Sequence, residues 1–281
     1  MQFIKQTSQT KLTFADGSTS LVDKNVLNYK NELNKKEEIP GYLPFFSDLN
    51  QSIKNYSDTF LDFYNFIISN YKLSNSQLFQ DLFVFYNFQE LKNGNCLEIG
   101  AIEEGKYSNV SLLASHLGWK CFILDRNIPL CENLKNKYPD CEIINSSIHP
   151  VHKKGVTSPL LKAEDFLNFQ FDVEHYNLNP VKPKLYTPTN EEFLLKEISI
   201  NEIFKDFFNS SPVEYLSLNL NDQNIKIIED LDFKNFAPKI ITINDYFRKL
   251  DSKLDSLLAI NGYLRFFKEH TQYEKWYVLQ E

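Results

Sequence analysis

Apolar and polar residues follow each other along this chain in two rhythms, one the length of a strand and one with the spacing of a helix. Asn95–Glu98, Lys120–Asp125, Glu142–Asn145, Glu214–Leu218 and Lys239–Ile243 are short, largely apolar runs, and each reads as a buried strand. The segments Ser108–Leu117, Pro129–Tyr138, Ile198–Phe208, Gln223–Leu231 and Arg248–Ile260 are amphipathic with helical spacing. Gly118 stops the first of them and Asn261-Gly262 the last. Tyr263–Phe267 and Trp276–Gln280 read as a closing antiparallel pair. Strands alternating with helices predict a mostly parallel sheet covered on both faces.

Upstream the pattern changes. Residues 1–43 are polar and weakly patterned, with a turn signal at Asp16-Gly17-Ser18. From Pro44 to Tyr71, the residues Phe46, Leu49, Ile53, Tyr56, Phe60, Phe63, Tyr64 and Ile67 recur at helical spacing. Their aromatic stripe is offered either to the main domain or to a second copy of the chain, as a homodimer contact. A further helix begins near Ser76, with Ser74 or Ser76 as cap and Leu78, Leu82, Phe83 and Tyr86 on its apolar face. Residues 153–192 lack periodicity and carry Pro159, Pro180, Pro183 and Pro188. They read as an insertion emerging where loops build substrate pockets. The domain plan is thus an N-terminal helical extension over 1–73 and an α/β, Rossmann-like domain over 74–281, interrupted at about 153–192.

The chemistry concentrates where the first main-domain strand meets its helix. The strand ends in Glu98, followed by Gly100, Gly105 and Ser108. A glycine at a strand's end lets the chain turn sharply and lets a ligand lie against bare backbone. The helix start then presents unpaired N–H groups to a polar ligand. An acid at the strand tip repels a pyrophosphate and suits a cation, which fits the ammonium and sulfonium of S-adenosylmethionine. Asp125 ends the second strand about 25 residues on, a position that suits an acid accepting from ribose hydroxyls. The turn lacks Gly-x-Gly-x-x-Gly, which argues against a nicotinamide dehydrogenase.

Composition narrows the classes further. The 281-residue chain carries a net charge of -7, and no basic stripe interleaved with aromatics is visible, which argues against a nucleic-acid surface. The first residues lack the apolar core of a signal peptide, and no apolar run reaches the roughly 18–20 residues of a membrane span. Cys96, Cys121, Cys131 and Cys141 lack zinc-site spacing and read as buried thiols in a reducing cytoplasm.

Several blocks together resemble the FkbM-family methyltransferases: Ser76-Gln77 with Gln80-Asp81, Leu97-Glu-Ile-Gly-Ala101, Ser108-Asn109 and Gly118-Trp119. The later Tyr215-Leu-Ser-Leu218, Leu231-Asp-Phe233 and Ile240-Ile-Thr-Ile243 are similar too. The resemblance covers about residues 74–281, without 153–192. It implies a class I methyltransferase fold, a seven-stranded sheet with the last strand antiparallel. It also implies S-adenosyl-L-methionine as cofactor and O-methylation of a small molecule, sugar, or natural-product or peptide intermediate.

By the same resemblance Glu98, Gly100 and Ala101 line the methionine side of the cofactor, with Ser108 and Asn109 opening the helix beneath it. Asp125 matches the ribose acid, Asn145 and Ser146 the adenine-side strand end. Gln80 and Asp81 match a Gln-Asp pair packed near the cofactor, although Asp81 also reads as a brace for its own helix. Asn219 stands at the tip of the fourth strand.

The chain departs from the family pattern at Phe79, where the family has glycine, and at Glu104, where it has aspartate. It departs again at Asn219-Leu-Asn221-Asp222, where the family has Asp-x-Glu-Gly, and at Asn244, where a glutamate is common. An amide keeps the size and hydrogen bonding of the acid and loses its charge and any role as base. No metal is expected. Asp222 and His149 are the candidate catalytic residues, with His152 and Asp245 behind them. A catalytically degenerate binding or scaffold protein is the competing reading.

Overall fold

The computed structural model describes residues 9–13, 19–23, 58–101, 107–148, 157–158, 195–220, 223–245, 251–268, 271 and 273–280. Strands β1 (Gln9–Thr13) and β2 (Thr19–Asp23) pair antiparallel. The extension is therefore not helical throughout; its predicted turn, Asp16-Gly17-Ser18, lies outside the described residues. Helix α1 (Asp58–Asn70) follows the aromatic periodicity. Phe60, Phe63, Tyr64 and Ile67 are buried in one cluster with Phe83 and Trp276, so this part of the stripe covers its own chain; Phe46, Leu49, Ile53 and Tyr56 lie outside the described residues.

The main domain continues with α2 (Gln80–Asn87), β3 (Asn95–Ile99), α3 (Ser111–Leu117), β4 (Lys120–Asp125), α4 (Ile128–Lys137) and β5 (Cys141–Asn145). Then come β6 (Ser147–Ile148), β7 (Thr157–Ser158), β8 (Leu195–Ile198), α5 (Ile200–Asp206), β9 (Tyr215–Leu218) and α6 (Asn224–Asp230). The chain closes with β10 (Ile240–Asn244), α7 (Asp251–Ile260), β11 (Tyr263–Phe266) and β12 (Glu274–Leu279). Short β7 and β8 pair antiparallel across the ends of the predicted insertion, and β8 also pairs with β6.

Seven strands form one sheet in the order β5-β4-β3-β9-β10-β12-β11. The first five are parallel, and β12 runs antiparallel to both neighbours. This is the predicted Rossmann-like, mostly parallel sheet with an inverted last strand. Alternate residues feed two cores. Cys96, Cys121, Ile123 and Tyr215 pack with α1, α2 and α3. Leu97, Phe122, Leu216 and Ile241 pack on the other face with residues of α5, α6 and α7.

The face toward α1–α3 is not wholly apolar. Register places Glu98 beside Ser217 and Ser217 beside Thr242, and pairs Asn244 with Glu274 one step nearer the strand tips. All five side chains are buried.

Cys96 and Cys121, expected as separate thiols, instead form a disulfide, with Cα atoms 4.8 Å apart. They are register partners on β3 and β4, so their side chains leave the same face at a spacing a disulfide spans. Cys131 and Cys141 are free and buried.

Candidate functional site

Strand order reverses at β3, whose neighbours are β4 on one side and β9 on the other. In such sheets ligands bind in the crevice beyond the carboxyl ends of the strands at this switch point. Glu98, one residue from the end of β3, lies under it.

Glu98 is buried, and its carboxylate is held from three directions. Oε2 accepts from Ser108 Oγ at 2.9 Å and from the Asn109 N–H at 3.0 Å, and Oε1 meets Asn219 Nδ2 at 3.4 Å. Burial pushes its pKa up to about 8 against the pull of the Ser108 and Asn109 hydrogen bonds; the negative charges of Asp81 and Asp125 add to the rise. Ser108 in turn accepts from the N–H groups of Val110 and Ser111. The helix begins at Ser111 rather than Ser108. The N–H groups of Asn109, Val110 and Ser111, read from sequence as free for a ligand, are thus taken by Glu98 and Ser108. Asn109 Nδ2 donates to Ser217 Oγ at 2.9 Å, tying this corner to β9.

Asp125 ends β4, partly buried. Oδ2 accepts from the Ala101 N–H at 2.9 Å and Oδ1 from the Asn127 N–H at 2.8 Å. Burial raises its pKa, opposed by these two bonds and by Arg126. Each carboxylate oxygen retains a further lone pair. Asn145 Nδ2 and the Ser146 N–H both donate to the Asp125 carbonyl, so these two residues brace the tip of β4.

Asp81 is a brace. It accepts five hydrogen bonds, from Ser74 Oγ, the Asn75 N–H, the N–H and Oγ of Ser76, and the Leu82 N–H. The loop it knots then accepts the Ser108 N–H at the Asn75 carbonyl. Beside it, Phe79 sits at φ 64, in the left-handed region, at the position where the resembling family has glycine. Gln80 Oε1 accepts from the Leu78 N–H, and the amide lies against the Glu274 carboxyl.

Gly100 has φ +82, and a Cβ there would lie 2.8 Å from Leu220 Cδ2 and 2.9 Å from the Asn219 carbonyl oxygen. Glycine is required because the tip of β9 closes on this turn. Asn219 Oδ1 is buried without a hydrogen-bond partner.

Along the rest of the edge, Leu220 N donates to Asn224 Oδ1, Asn224 Nδ2 to the Asn244 carbonyl, and Asn244 Nδ2 to Glu274 Oε1 at 3.1 Å. Glu274 went unread in the sequence because the last strand was started at Trp276. Period-two alternation from Trp276 back to Glu274 was the signal that places it on the same face. Burial pushes its pKa up to about 8, opposed by Gln80, Asn244 and Lys275 and reinforced by Glu98. Asp245, weighed as a base, is instead ion-paired with Lys275 at 2.8 Å, both side chains being buried. Asp222, His149 and His152 lie outside the described residues, as do Glu104, Gly105 and Asn221. Among the described residues no group of three His, Cys, Asp or Glu side chains could hold a metal, and no helix is long and apolar enough to cross a membrane.

No protein-family model and no curated protein matches the chain. Among solved structures it is similar to an O-methyltransferase from Bacillus cereus in complex with SAH, at 13% identity and TM-score 0.39 over 86% of this chain and 98% of that one. It is similar to precorrin-6y C5,15-methyltransferase from Geobacter metallireducens GS-15, at 11% identity and TM-score 0.37 over 69% of this chain and 75% of that one. A TehB-like SAM-dependent methyltransferase from Corynebacterium glutamicum ATCC 13032 Kitasato shares 7% identity and TM-score 0.37 over 78% of this chain and 97% of that one. Likenesses this distant say nothing about what the chain binds.

Proposed function

We propose that this chain is an S-adenosylmethionine-dependent methyltransferase of the FkbM kind, transferring the methyl group to oxygen on a small molecule, sugar, or natural-product or peptide intermediate. One observation carries the reading. At the switch point a buried carboxyl, Glu98, stands beside a buried carbonyl oxygen without a partner, Asn219 Oδ1. Two acceptors with no cation between them fit an ammonium, which has three donors and no acceptor. A pyrophosphate would meet repulsion there.

In this reading Glu98 and Asn219 hold the amino-acid end of the cofactor, and Gly100 and Ala101 give it backbone to lie against. Asp125 takes the ribose hydroxyls with its remaining lone pairs. Asn145 and Ser146 hold Asp125 in place, and Gln80, Asp81, Ser108 and Asn109 hold the turn. When bound, the cofactor supplies an electrophilic methyl group; the chain supplies position and exclusion of water. Asp222 and His149 remain candidates for handling the acceptor's proton.

The test is calorimetry with S-adenosylhomocysteine, which carries the same ammonium. A cation beside Glu98 favours its ionised form, so binding near neutral pH releases a proton. The measured heat then varies with the ionisation enthalpy of the buffer, and affinity rises as the pH approaches 8, the value near which Glu98 titrates. Absence of binding at millimolar ligand would sink the reading. The amides at Asn219 and Asn244 favour a second reading, cofactor binding without transfer; any methylated product excludes it.

A further inference from the structure

Three of the four cysteines stand in one row across the sheet. Cys96 on β3 is the register partner of Cys121 on β4, and Cys121 is the register partner of Cys141 on β5. Register partners on parallel neighbours leave the same face of a sheet, and all three side chains belong to the core cluster on the face toward α1–α3. Cys96 and Cys121 are joined, with Cα atoms 4.8 Å apart. Cys121 and Cys141 stand in the same relation on adjacent strands, which run about 4.7–4.9 Å apart, within the span of a disulfide. Cys121 thus has a bonding partner in register on each side. Cys141 is a buried free thiol. It lies across Cys121 from Cys96, the side from which a thiolate displaces a leaving sulfur. Cys131 is outside the row: it sits on α4, with its Sγ donating to the Asp125 carbonyl at 3.3 Å.

We propose that the disulfide is movable, with Cys141 displacing Cys96 from Cys121, so that the link passes between β3–β4 and β4–β5. In the step the Cys141 thiolate attacks Cys121 Sγ. The Cys141–Cys121 bond forms, the Cys121–Cys96 bond breaks, and the electron pair leaves on Cys96 Sγ, which takes a proton in exchange for the one Cys141 gave up. No oxidant or reductant is consumed. The place of the link decides which strands are tied. Cys96 shares β3 with Glu98, and Cys121 shares β4 with Asp125. The Cys96–Cys121 link joins the strands that carry these two acids. The Cys121–Cys141 link frees β3 and ties β4 to β5, the strand at the sheet's edge. The surroundings make the step slow near neutral pH. Burial pushes the Cys141 thiol up to about 12, and the negative charges of Glu98 from β3 and of Asp140 add to the rise; Tyr138 at the end of α4 is the other titratable group beside it. The thiolate fraction, and the exchange rate with it, rises about tenfold per pH unit.

The experiment uses the full chain and variants lacking one cysteine, each refolded from the reduced state in a glutathione redox buffer. Linked peptides are mapped by mass spectrometry after denaturation and alkylation in mild acid, where thiolates and hence exchange vanish. Cys96→Ala should yield the Cys121–Cys141 link. Cys121→Ala should yield no link between Cys96 and Cys141, which stand two strands apart, about 10 Å. In the oxidised, folded wild-type chain the Cys121–Cys141 peptide should appear about tenfold faster for each pH unit between about 7 and 9. Cys141→Ala should hold the Cys96–Cys121 link alone. A folded Cys96→Ala chain that keeps Cys121 and Cys141 as thiols overturns the proposal. So does a wild-type chain that yields only the Cys96–Cys121 peptide at every pH, and this arm decides should Cys96→Ala fail to fold.

Discussion

Around β3 and β4, Glu98 is held by Ser108 and Asn109, 10 and 11 positions on, and Asp125 by Asn127, two positions on, and by Ala101 across 24. Around β10 and β12, Asn244 is reached from Asn224 across 20 positions and Glu274 from Asn244 across 30. The first region accommodates its acids with turn chemistry and leaves one acceptor, Asn219 Oδ1, open beside Glu98. The second exists only once the last strand has inserted beside β10, and it sets the Gln80 amide against the Glu274 carboxyl. Buried polar groups held by turn hydrogen bonds meet their partners as the turn forms, whereas those that meet across strands depend on register and burial.

The contrast breaks most strongly at the ion pair behind Glu274. Lys275→Met should lower stability by about 3–5 kcal/mol, because it strands Asp245 as a buried charge, whereas Lys275→Met with Asp245→Leu should recover most of the loss. Urea denaturation of the single and double variants measures both.

Gly100→Ala comes next. Left-handed backbone costs a residue with a Cβ about 1–2 kcal/mol, and the approach of Leu220 and Asn219 adds overpacking of about 1–3 kcal/mol. The same denaturation series reads it, and a loss under about 1 kcal/mol would mean that β9 yields freely at this turn.

The two regions share one pH signature. Glu98 and Glu274 each rise from 4.5 to about 8 on folding, so the folded chain keeps protons the unfolded chain gives up. Their contribution is fully present below about 4.5 and is lost as pH rises through about 8, each with a slope of at most about 1.4 kcal/mol per pH unit. Glu98→Gln and Glu274→Gln should each flatten part of that fall, read as denaturation midpoints from mildly acidic to mildly alkaline pH. If one variant abolishes the whole slope, the two carboxyls do not titrate as separate groups.

The smallest expected difference is between two variants at Phe79. Phe79→Ala removes a buried ring and costs about 3–5 kcal/mol, while Phe79→Gly should be about 1 kcal/mol more stable than the alanine variant because φ 64 suits glycine. Equal stabilities would show that the loop relaxes out of the left-handed region once the ring is gone.

Much of the fold was legible. The apolar runs of β3, β4, β9 and β10 lie within a residue of their observed bounds, because strands buried on both faces read as continuous apolar stretches. That Glu98, Ser108, Asn109 and Asp125 gather at one strand end was also legible, since a strand end, a glycine and a following helix lie next to each other along the chain. What Asp81 does was not. Its side chain folds back on Ser74–Leu82, and only coordinates separate a brace from a ligand-facing acid. The disulfide partners lie 25 positions apart and meet only through register. Glu274 was missed because its strand begins two residues earlier than its apolar residues suggest.

The sequence by itself determined the alternation of strands and helices, the acid at the tip of β3 and the turn beyond it, since these follow from periodicity and local backbone preference. Tertiary structure alone decided which of the acids stand alone. It paired Asp245 with Lys275, enclosed Glu98 beside an unpartnered amide oxygen, and set Glu274 opposite Gln80. Those outcomes depend on register between strands and on burial, and neither is a property of any stretch of the chain taken alone.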